Sequence, residues 1–141
     1  MTTVPSVSAS ALEIVTELAR RFADGDGAGA AALFHDDIRI EQPASLPHGG
    51  WWSGRTGMAD MGAAFGKHWT RTIADPRIYG SGTADESGAV TQVTTQTWTS
   101  VATGRSATVD VAELFSFSGG LISQIRVFQQ DTHLLLGTLN G

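Results

Sequence analysis

The sequence contains no cysteine and only one lysine, Lys67. Without cysteine, the 141-residue chain has no disulfide framework, no thiol nucleophile and no cysteine-type metal site. Nine basic residues are distributed along the chain, and the formal net charge is -5. Binding to a phosphate backbone depends on clustered cations, so we expect no nucleic-acid partner.

Long apolar runs and targeting signals are also missing. No apolar stretch approaches the length that spans a bilayer, so we expect no membrane partner. Residues 1–8 have neither a basic region nor an apolar segment, which predicts a flexible tail and not a secretory signal. Residues 9–141 are then expected to form a single domain, and the lack of cysteine fits a cytoplasmic location.

Motifs for metals and phosphates are absent as well. The four histidines show no HExxH or HxH spacing, and no glycine-rich phosphate loop joins a strand to a helix. The sequence therefore predicts no metal and no cofactor. His48 is the least ordinary of the histidines because it lies close to Trp51 and Trp52 in a long loop. We expect one of these tryptophans to line a pocket mouth.

The N-terminal part of the chain is helical in pattern. Ser10 and Glu13 form a capping box, and apolar residues follow at helical spacing until the glycines after Asp24. A second short helix is expected before a strand over 38–42, which Pro43 ends. Apolar residues at helical spacing then predict a third helix, with one face made of Met58, Met61, Phe65 and Trp69.

The rest of the chain favours strands over 77–83, 89–103, 106–117 and 121–130, separated by turn-like glycines. A short helix follows Asp131, which is a suitable N-cap. This order predicts an α+β fold: a curved, mostly antiparallel sheet, with the N-terminal helices packed on its concave face and enclosing a pocket.

The alternation in the strand over 106–117 places one carboxylate in an apolar row. Side chains alternate across a strand, so Glu113 shares a face with Val109, Val111, Phe115 and Phe117. An unpaired buried carboxylate is costly, so the group should be paired, protonated or at the edge of a cavity. We expect a cavity with Arg126 as the partner of Glu113. The alternatives are a structural ion pair or exposure where the sheet bends.

The strand that starts at Ala89 carries uncharged polar groups on both faces. Gln92, Thr94, Gln96 and Trp98 share one face, and this pattern suits a pocket that holds a ligand or water. We assign Gln96 and Trp98 to such a pocket. The threonines are interpreted as ordinary strand formers, because threonine favours strands.

Several motifs in this order resemble the SnoaL-like polyketide cyclase and ketosteroid isomerase superfamily, which has the nuclear transport factor 2-like fold. The resemblance covers nearly the whole chain and rests on five segments: ALFHDD at 32–37, LPHGG at 46–50, SGR at 53–55, ELFSFSGGLI at 113–122 and RVFQQDT at 126–132. It implies a cone-shaped α+β barrel with an internal pocket, and a homodimer paired through the outer face of the sheet.

The resemblance also suggests where chemistry would lie. Isomerase-like members carry a base where this chain has Gln42, a tyrosine where it has Leu18, and an acid where it has Glu113. Aldol-type cyclases have their aspartate where this chain has Phe128. Epoxide hydrolase-like members need an Arg-x-Asp pair that the strand at 92–98 lacks, so Asp131 alone does not indicate epoxide opening.

The favoured function is a cyclase or isomerase of secondary metabolism, such as antibiotic biosynthesis. It would act on a small hydrophobic, polyketide-like molecule, mainly by holding a reactive conformer. The alternatives are a non-catalytic small-molecule-binding or dimerisation module and, more distantly, an epoxide hydrolase-like enzyme. Glu113 and Arg126 are the predicted catalytic residues. The predicted substrate-binding residues are Leu18, Gln42, Trp51, Met61, Phe65, Trp69, Gln96, Trp98, Phe115 and Phe128.

Overall fold

Helices lie at the beginning, middle and end of the chain, and six strands lie between them. The structure is a computed structural model that describes residues 10–140, so the predicted tail at 1–8 lies outside the described residues. The helices are α1 (Ala11–Ala23), α2 (Gly27–Ala31), α3 (Gly54–Gly66) and α4 (Thr132–Gly137). The strands are β1 (Phe34–Gln42), β2 (Gly50–Ser53), β3 (Trp69–Ser81), β4 (Ala89–Ser100), β5 (Ser106–Ser118) and β6 (Leu121–Gln129).

The strands form one mixed sheet in the order β2-β1-β6-β5-β4-β3. Every pair is antiparallel except β1 with β6, which are parallel. The predicted α+β class and the mostly antiparallel sheet are confirmed. The sheet is not closed, because β2 and β3 are edge strands, so the barrel that the resemblance implied is an open, curved sheet.

The sheet has an inner face, which packs against the helices, and an outer face. Burial alternates residue by residue along β4, where the even-numbered side chains from Val90 to Ser100 are buried. The same alternation on β5 buries the odd-numbered residues Val109, Val111, Phe115 and Phe117. The predicted faces of both strands are therefore confirmed. The inner face is the one that positions a site.

Helix α1 covers part of the inner face with an apolar stripe. The hydroxyl of Ser10 accepts a hydrogen bond from the backbone N–H of Glu13 at 3.3 Å, as the N-cap prediction requires. Ile14, Val15 and Leu18 are buried against the sheet side of the helix. No helix within residues 10–140 is long and apolar enough to cross a membrane.

The boundaries between α3 and β3 differ from the prediction. Helix α3 ends at Gly66, and Trp69, which the helical spacing assigns to the face of this helix, is the first residue of β3. Strand β3 therefore begins eight residues before the predicted Arg77 and pairs with β4 along almost its whole length, apart from an irregularity between Ala74 and Arg77. Asp75 lies there with a φ of 58°, a conformation that aspartate tolerates better than most residues.

The first strand and the long loop also differ from expectation. Strand β1 starts at Phe34 and not at Ile38, and the loop contains β2, which pairs Trp52 with Ile40. The two tryptophans, Trp51 and Trp52, face opposite ways, because neighbouring side chains alternate across a strand.

Helix α4 is fixed to the rest of the domain by a buried hydrogen bond. Asp131 caps the helix by accepting from the backbone N–H of Leu134 at 2.9 Å, which confirms its predicted N-cap role. The indole N–H of Trp69 donates to the hydroxyl of Thr138 at 2.8 Å, and both residues are buried. The same hydroxyl donates to the carbonyl of Leu135 at 2.7 Å, so α4 is held onto the start of β3.

Replacing Thr138 tests this bond. Thr138→Val keeps the side-chain shape but leaves the buried indole N–H of Trp69 without an acceptor, so we expect a loss of about 1–3 kcal/mol in the free energy of unfolding. Urea unfolding followed by tryptophan fluorescence measures the change. Thr138→Ser, which keeps the hydroxyl, is the matched control and should lose less. Equal stability of the valine variant and the unchanged protein would contradict the assignment.

Candidate functional site

A cavity of about 490 Å³ lies between the helices and the inner face of the sheet. This volume is within the range of pockets that enclose small organic ligands. Its mouth lies between the end of α1 and strand β3, because the lining residues Phe22 and Ile73 are more than half exposed. Deeper in the cavity, apolar side chains such as Ile40, Val111 and Val127 form much of the wall.

Glu113 is the one carboxyl group among the described residues that line this cavity. It sits on β5, directly opposite Gln92 on β4, whose side-chain amide donates to its Oε1 atom at 3.2 Å. Desolvation by the cavity wall raises the pKa of the Glu113 carboxyl, while the bond from Gln92 and the charge of Arg71 oppose the rise. The carboxyl is thus biased towards its protonated form, as is typical of an acid in an apolar site.

Arg71, on β3, is the one cation among the described lining residues. Its guanidinium carbon lies 4.9 Å from the centre of the Phe65 ring, a cation–π arrangement. Desolvation lowers the pKa of Arg71, and the negative charge of Glu113 opposes that change. Arginine nevertheless stays charged in proteins. Because Arg71 is partly open to solvent, it forms a positive group near the cavity mouth.

Two hydrogen-bonded groups of glutamine side chains complete the polar wall. In the first, the indole N–H of Trp98 donates to Gln96 at 2.9 Å, and the amide of Gln96 donates to the hydroxyl of Thr94 at 3.0 Å. In the second, the amide of Gln129 donates to Gln42 at 3.2 Å, and the amide of Gln42 lies 3.5 Å from the sulfur of Met61. Both groups tie the inner face together by side-chain bonds.

His48 closes one end of the cavity as part of an aromatic cluster. Its ring centre lies 5.3 Å from that of Phe65, 6.0 Å from that of Trp69 and 5.8 Å from that of Trp98. Only 2% of the residue is exposed. Desolvation, helped by the charges of Arg71 and His68, lowers the pKa of His48 to about 4. The imidazole is therefore neutral at physiological pH and contributes no charge to the site.

The structure brings half of the predicted site residues to the cavity and leaves the others elsewhere. The residues that line it are Leu18, Gln42, Met61, Gln96, Trp98 and Glu113. Phe65 and Trp69 lie behind this wall, with their ring centres 4.8 Å and 5.0 Å from that of Trp98. Phe115 is buried in the apolar core.

The remaining three predicted residues lie on the outer face. Arg126 stands opposite Leu114 on β5, and its guanidinium forms an ion pair with Glu41 at 2.8 Å. The prediction that Arg126 pairs with Glu113 is therefore wrong, because the residue that stands opposite Glu113 on β6 is Val127. Phe128 is 44% exposed.

Trp51, the third of these residues, is 43% exposed on the outer face, and it stacks under the guanidinium of Arg39 at 4.3 Å. It does not line the cavity mouth. Its neighbour Trp52 packs against the core and donates from its indole N–H to the carbonyl of His48 at 3.0 Å.

Several lining residues do not follow from the sequence patterns. Arg71 was not predicted as a site residue because the helical spacing of apolar residues continues to Trp69. The sequence pattern therefore gives no indication that β3 has already begun there. The sequence pattern alone identifies Thr94 as an ordinary strand former. In the structure it is buried and lines the cavity. Its shared face with Gln92 and Gln96 was the available signal. For Gln129 the available signal was its alternation with Ile125 and Val127 along β6, which places it on the inner face.

The arrangement is suited to binding an apolar molecule with a few polar groups. One carboxyl group that favours its protonated form, one cation and several amides line a largely apolar space. Residues 10–140 contain no cluster of three or more histidine, aspartate or glutamate side chains that could hold a metal ion. The described groups could donate a hydrogen bond to a carbonyl and stabilise negative charge on oxygen.

Solved structures share this fold. An NTF2-like protein from Burkholderia xenovorans LB400 is 20% identical, with 92% of this chain and 95% of that chain covered and a TM-score of 0.75. TerC, co-crystallised with polyporic acid, is 21% identical, with 93% and 98% covered and a TM-score of 0.76. A proposed polyketide cyclase from Pseudomonas putida KT2440 is 15% identical, with 92% and 97% covered and a TM-score of 0.71. At these identities the likeness shows an NTF2-like fold.

No curated protein matches the sequence. The model of one family does match it, and that family is described as the SnoaL-like domain. The match runs over residues 15–125, from the middle of α1 to within β6, and so includes most of the cavity wall. The resemblance noted in the sequence is thereby confirmed, and the chain belongs to the SnoaL-like domain family.

Proposed function

We propose that the protein is a cyclase or isomerase that needs no cofactor and acts on a small hydrophobic, polyketide-like molecule of secondary metabolism, such as an antibiotic precursor. The observation that carries this proposal is Glu113: a lone carboxyl on the wall of an apolar cavity, with its pKa raised by desolvation. Groups with shifted pKa values in clefts are typical of functional sites. A cytoplasmic location is part of the proposal.

In the proposed mechanism, protonated Glu113 donates a hydrogen bond to a carbonyl oxygen of the ligand. Arg71 stabilises negative charge that develops on an oxygen nearer the mouth. The apolar wall holds the chain of the substrate in a conformation close to ring closure, and such positioning can lower a barrier by several kcal/mol. Gln42 cannot remove a proton, so the reaction class is one that relies on an acid and on positioning.

The family and the similar structures support this proposal. A proposed polyketide cyclase shares the fold, and TerC was co-crystallised with polyporic acid. In a family whose fold hosts several chemistries, the residues of the site have to carry the argument.

A second candidate is a non-catalytic binding module. It is favoured by one observation: Glu113 is the one carboxyl among the described lining residues, so no second carboxylate stands by to act as base. The two candidates differ in what Glu113 does, since binding alone does not require its proton.

Replacing Glu113 in the producing organism separates the two candidates. Glu113→Gln removes the acid but keeps a side chain that can bond to Gln92, so we expect the metabolite profile to resemble that of a deletion strain. For an isomerisation, the missing product and the accumulated precursor would share a mass and differ in chromatographic retention. Liquid chromatography with mass spectrometry of parent, deletion and variant strains measures this.

Glu86→Gln, at an exposed turn, is the matched control and should keep the parental profile. If the deletion changes the profile and Glu113→Gln does not, Glu113 is not the acid. If neither changes it, the enzyme proposal fails and the binding module stands. Immunoblots of all strains check that protein levels are equal.

The raised pKa of Glu113 also predicts how stability depends on pH. The folded state holds the proton of Glu113 more tightly than the unfolded chain does, so the folded state loses relative stability as pH rises through the folded pKa. Glu113→Gln removes this effect. The variant should gain in unfolding free energy over the unchanged protein as pH increases from about 4 to 8, near and above the usual pKa of a glutamate. Urea titrations across that range measure the difference, and a difference that is constant with pH would contradict the assignment.

We also propose that the protein is a homodimer that pairs through the outer face. Tyr79 is 61% exposed there, and Leu114 and Phe128 are 40% and 44% exposed. This exposure means that no described element fully covers these side chains. A second copy that buried them would remove apolar area from water, which is the main driving force for association.

Leu114→Glu places a charge at the centre of this patch, so we expect it to weaken the dimer roughly tenfold or more. Sedimentation velocity over a concentration series measures the dissociation constant. Leu134→Glu, at a similarly exposed leucine on α4, is the control and should leave it unchanged. A monomeric unchanged protein, or a Leu114→Glu variant that dimerises as well, would refute the interface.

A further inference from the structure

The polar groups of the inner face that have no hydrogen-bond partner are concentrated at the cavity. Within residues 10–140, three buried side-chain atoms lack a partner: Nδ1 of His48, Oε1 of Gln92 and Oε1 of Gln129. All three residues line the cavity. Leaving a buried acceptor unpaired costs free energy, and a bound molecule with matching donors would recover it. The position of these atoms therefore carries information about the ligand.

The neighbours of the two glutamines determine which end of each amide is free. The nitrogen of Gln92 donates to Glu113, so its oxygen is the unpaired atom. Gln42 points its own nitrogen at the sulfur of Met61 and so has only its oxygen to offer, which accepts from the nitrogen of Gln129. The oxygen of Gln129 is again left unpaired. Both glutamines thus present acceptors.

His48 differs from the glutamines in how it is held. Its imidazole is enclosed by the rings of Phe65, Trp69 and Trp98, and this packing fixes its orientation. A glutamine amide stands at the end of a longer side chain with a broad terminal torsion, so its oxygen can adjust towards a ligand while its nitrogen keeps its bond. Of the three unpaired atoms, the two amide oxygens are therefore the ones that a ligand can recruit.

The two acceptors lie on either side of β5, whose inner-face residues there are Glu113 and Val111. Gln92 is on β4, opposite Glu113, whereas Gln129 is on β6, opposite Val111, two residues further along β5. Two strand spacings and this offset separate the two backbones by on the order of 10 Å. The inner-face side chains of Val111 and Val127 line the cavity between them. A complementary ligand has an apolar body and a donor at each end.

We propose that the amide oxygens of Gln92 and Gln129 determine the specificity of the cavity, which selects a molecule with an apolar body and one hydroxyl donor directed to each of them. This inference deepens the proposed function because it concerns the ligand of the same cavity.

A pair of small probes tests the proposal with the whole chain. One probe is a naphthalenediol with hydroxyl groups at opposite ends of the two rings, and the other is the analogue with fluorine in place of both hydroxyls. The two are similar in size and shape, but only the diol has donors. Isothermal titration calorimetry should show the diol binding at least roughly tenfold more tightly than the difluoro analogue.

Two variants assign that preference to residues. Gln92→Met and Gln129→Met preserve length and remove the acceptor, so each should weaken diol binding roughly fivefold to tenfold and leave the affinity for the difluoro probe unchanged. Gln124→Met, on the outer face of β6 opposite Ser116, is the matched control and should change neither affinity. Thermal unfolding checks that each variant is folded. If one is not, the comparison of the two probes on the unchanged protein still decides the matter.

The proposal is overturned if the diol binds no more tightly than the difluoro probe, or if neither binds. It is also overturned if folded methionine variants keep the full preference, or if Gln124→Met loses as much. These outcomes are distinct from failure of the proposed function. A metabolite profile that does not respond to Glu113→Gln would leave the diol preference intact, and loss of that preference would leave the role of Glu113 intact.

Discussion

The cost of burying polar groups on the inner face of the sheet governs this site. Gln92, Thr94 and Gln96 alternate along β4 towards a space that the helices cover and do not fill. Each must find a partner among its neighbours, and most do: the indole of Trp98 bonds to Gln96, and Gln92 bonds to Glu113. Such a network holds a set of side chains in one arrangement around an open volume. The few atoms that it leaves unpaired are where a ligand gains most.

The fold class and the faces of two strands were predictable from the sequence because they depend on local patterns. Alternation along β5 is by itself enough to place Glu113 among apolar residues. The partner of Glu113, in contrast, cannot be read from a local pattern. Residues directly opposite each other on paired strands point to the same face, so the choice between Arg126 and its neighbour depends on a one-residue shift in register. In the observed register Val127 lies opposite Glu113. Arg126 lies on the outer face, where it forms an ion pair with Glu41.

Arg71 shows a second limit of local patterns. It belongs to β3, and Glu113 belongs to β5, with β4 between them. The two charges influence each other across the cavity, and not as a directly paired couple on adjacent strands. No spacing in the sequence encodes such an interaction, since it arises only when the sheet brings side chains from non-adjacent strands to a shared cavity. In the structure α3 already ends at Gly66, so β3 can start at Trp69 and include Arg71.

The opposition between Arg71 and desolvation couples ligand binding to the state of the acid. Desolvation raises the pKa of Glu113, and the positive charge of Arg71 partly offsets the rise. A ligand that places a negative or strongly polar oxygen at Arg71 would engage that charge and displace water from the wall. Both effects raise the pKa of Glu113 further, because less positive charge and less water then stabilise the carboxylate. In the proposed mechanism, such a ligand would therefore favour the protonated form of Glu113, on which the reaction depends.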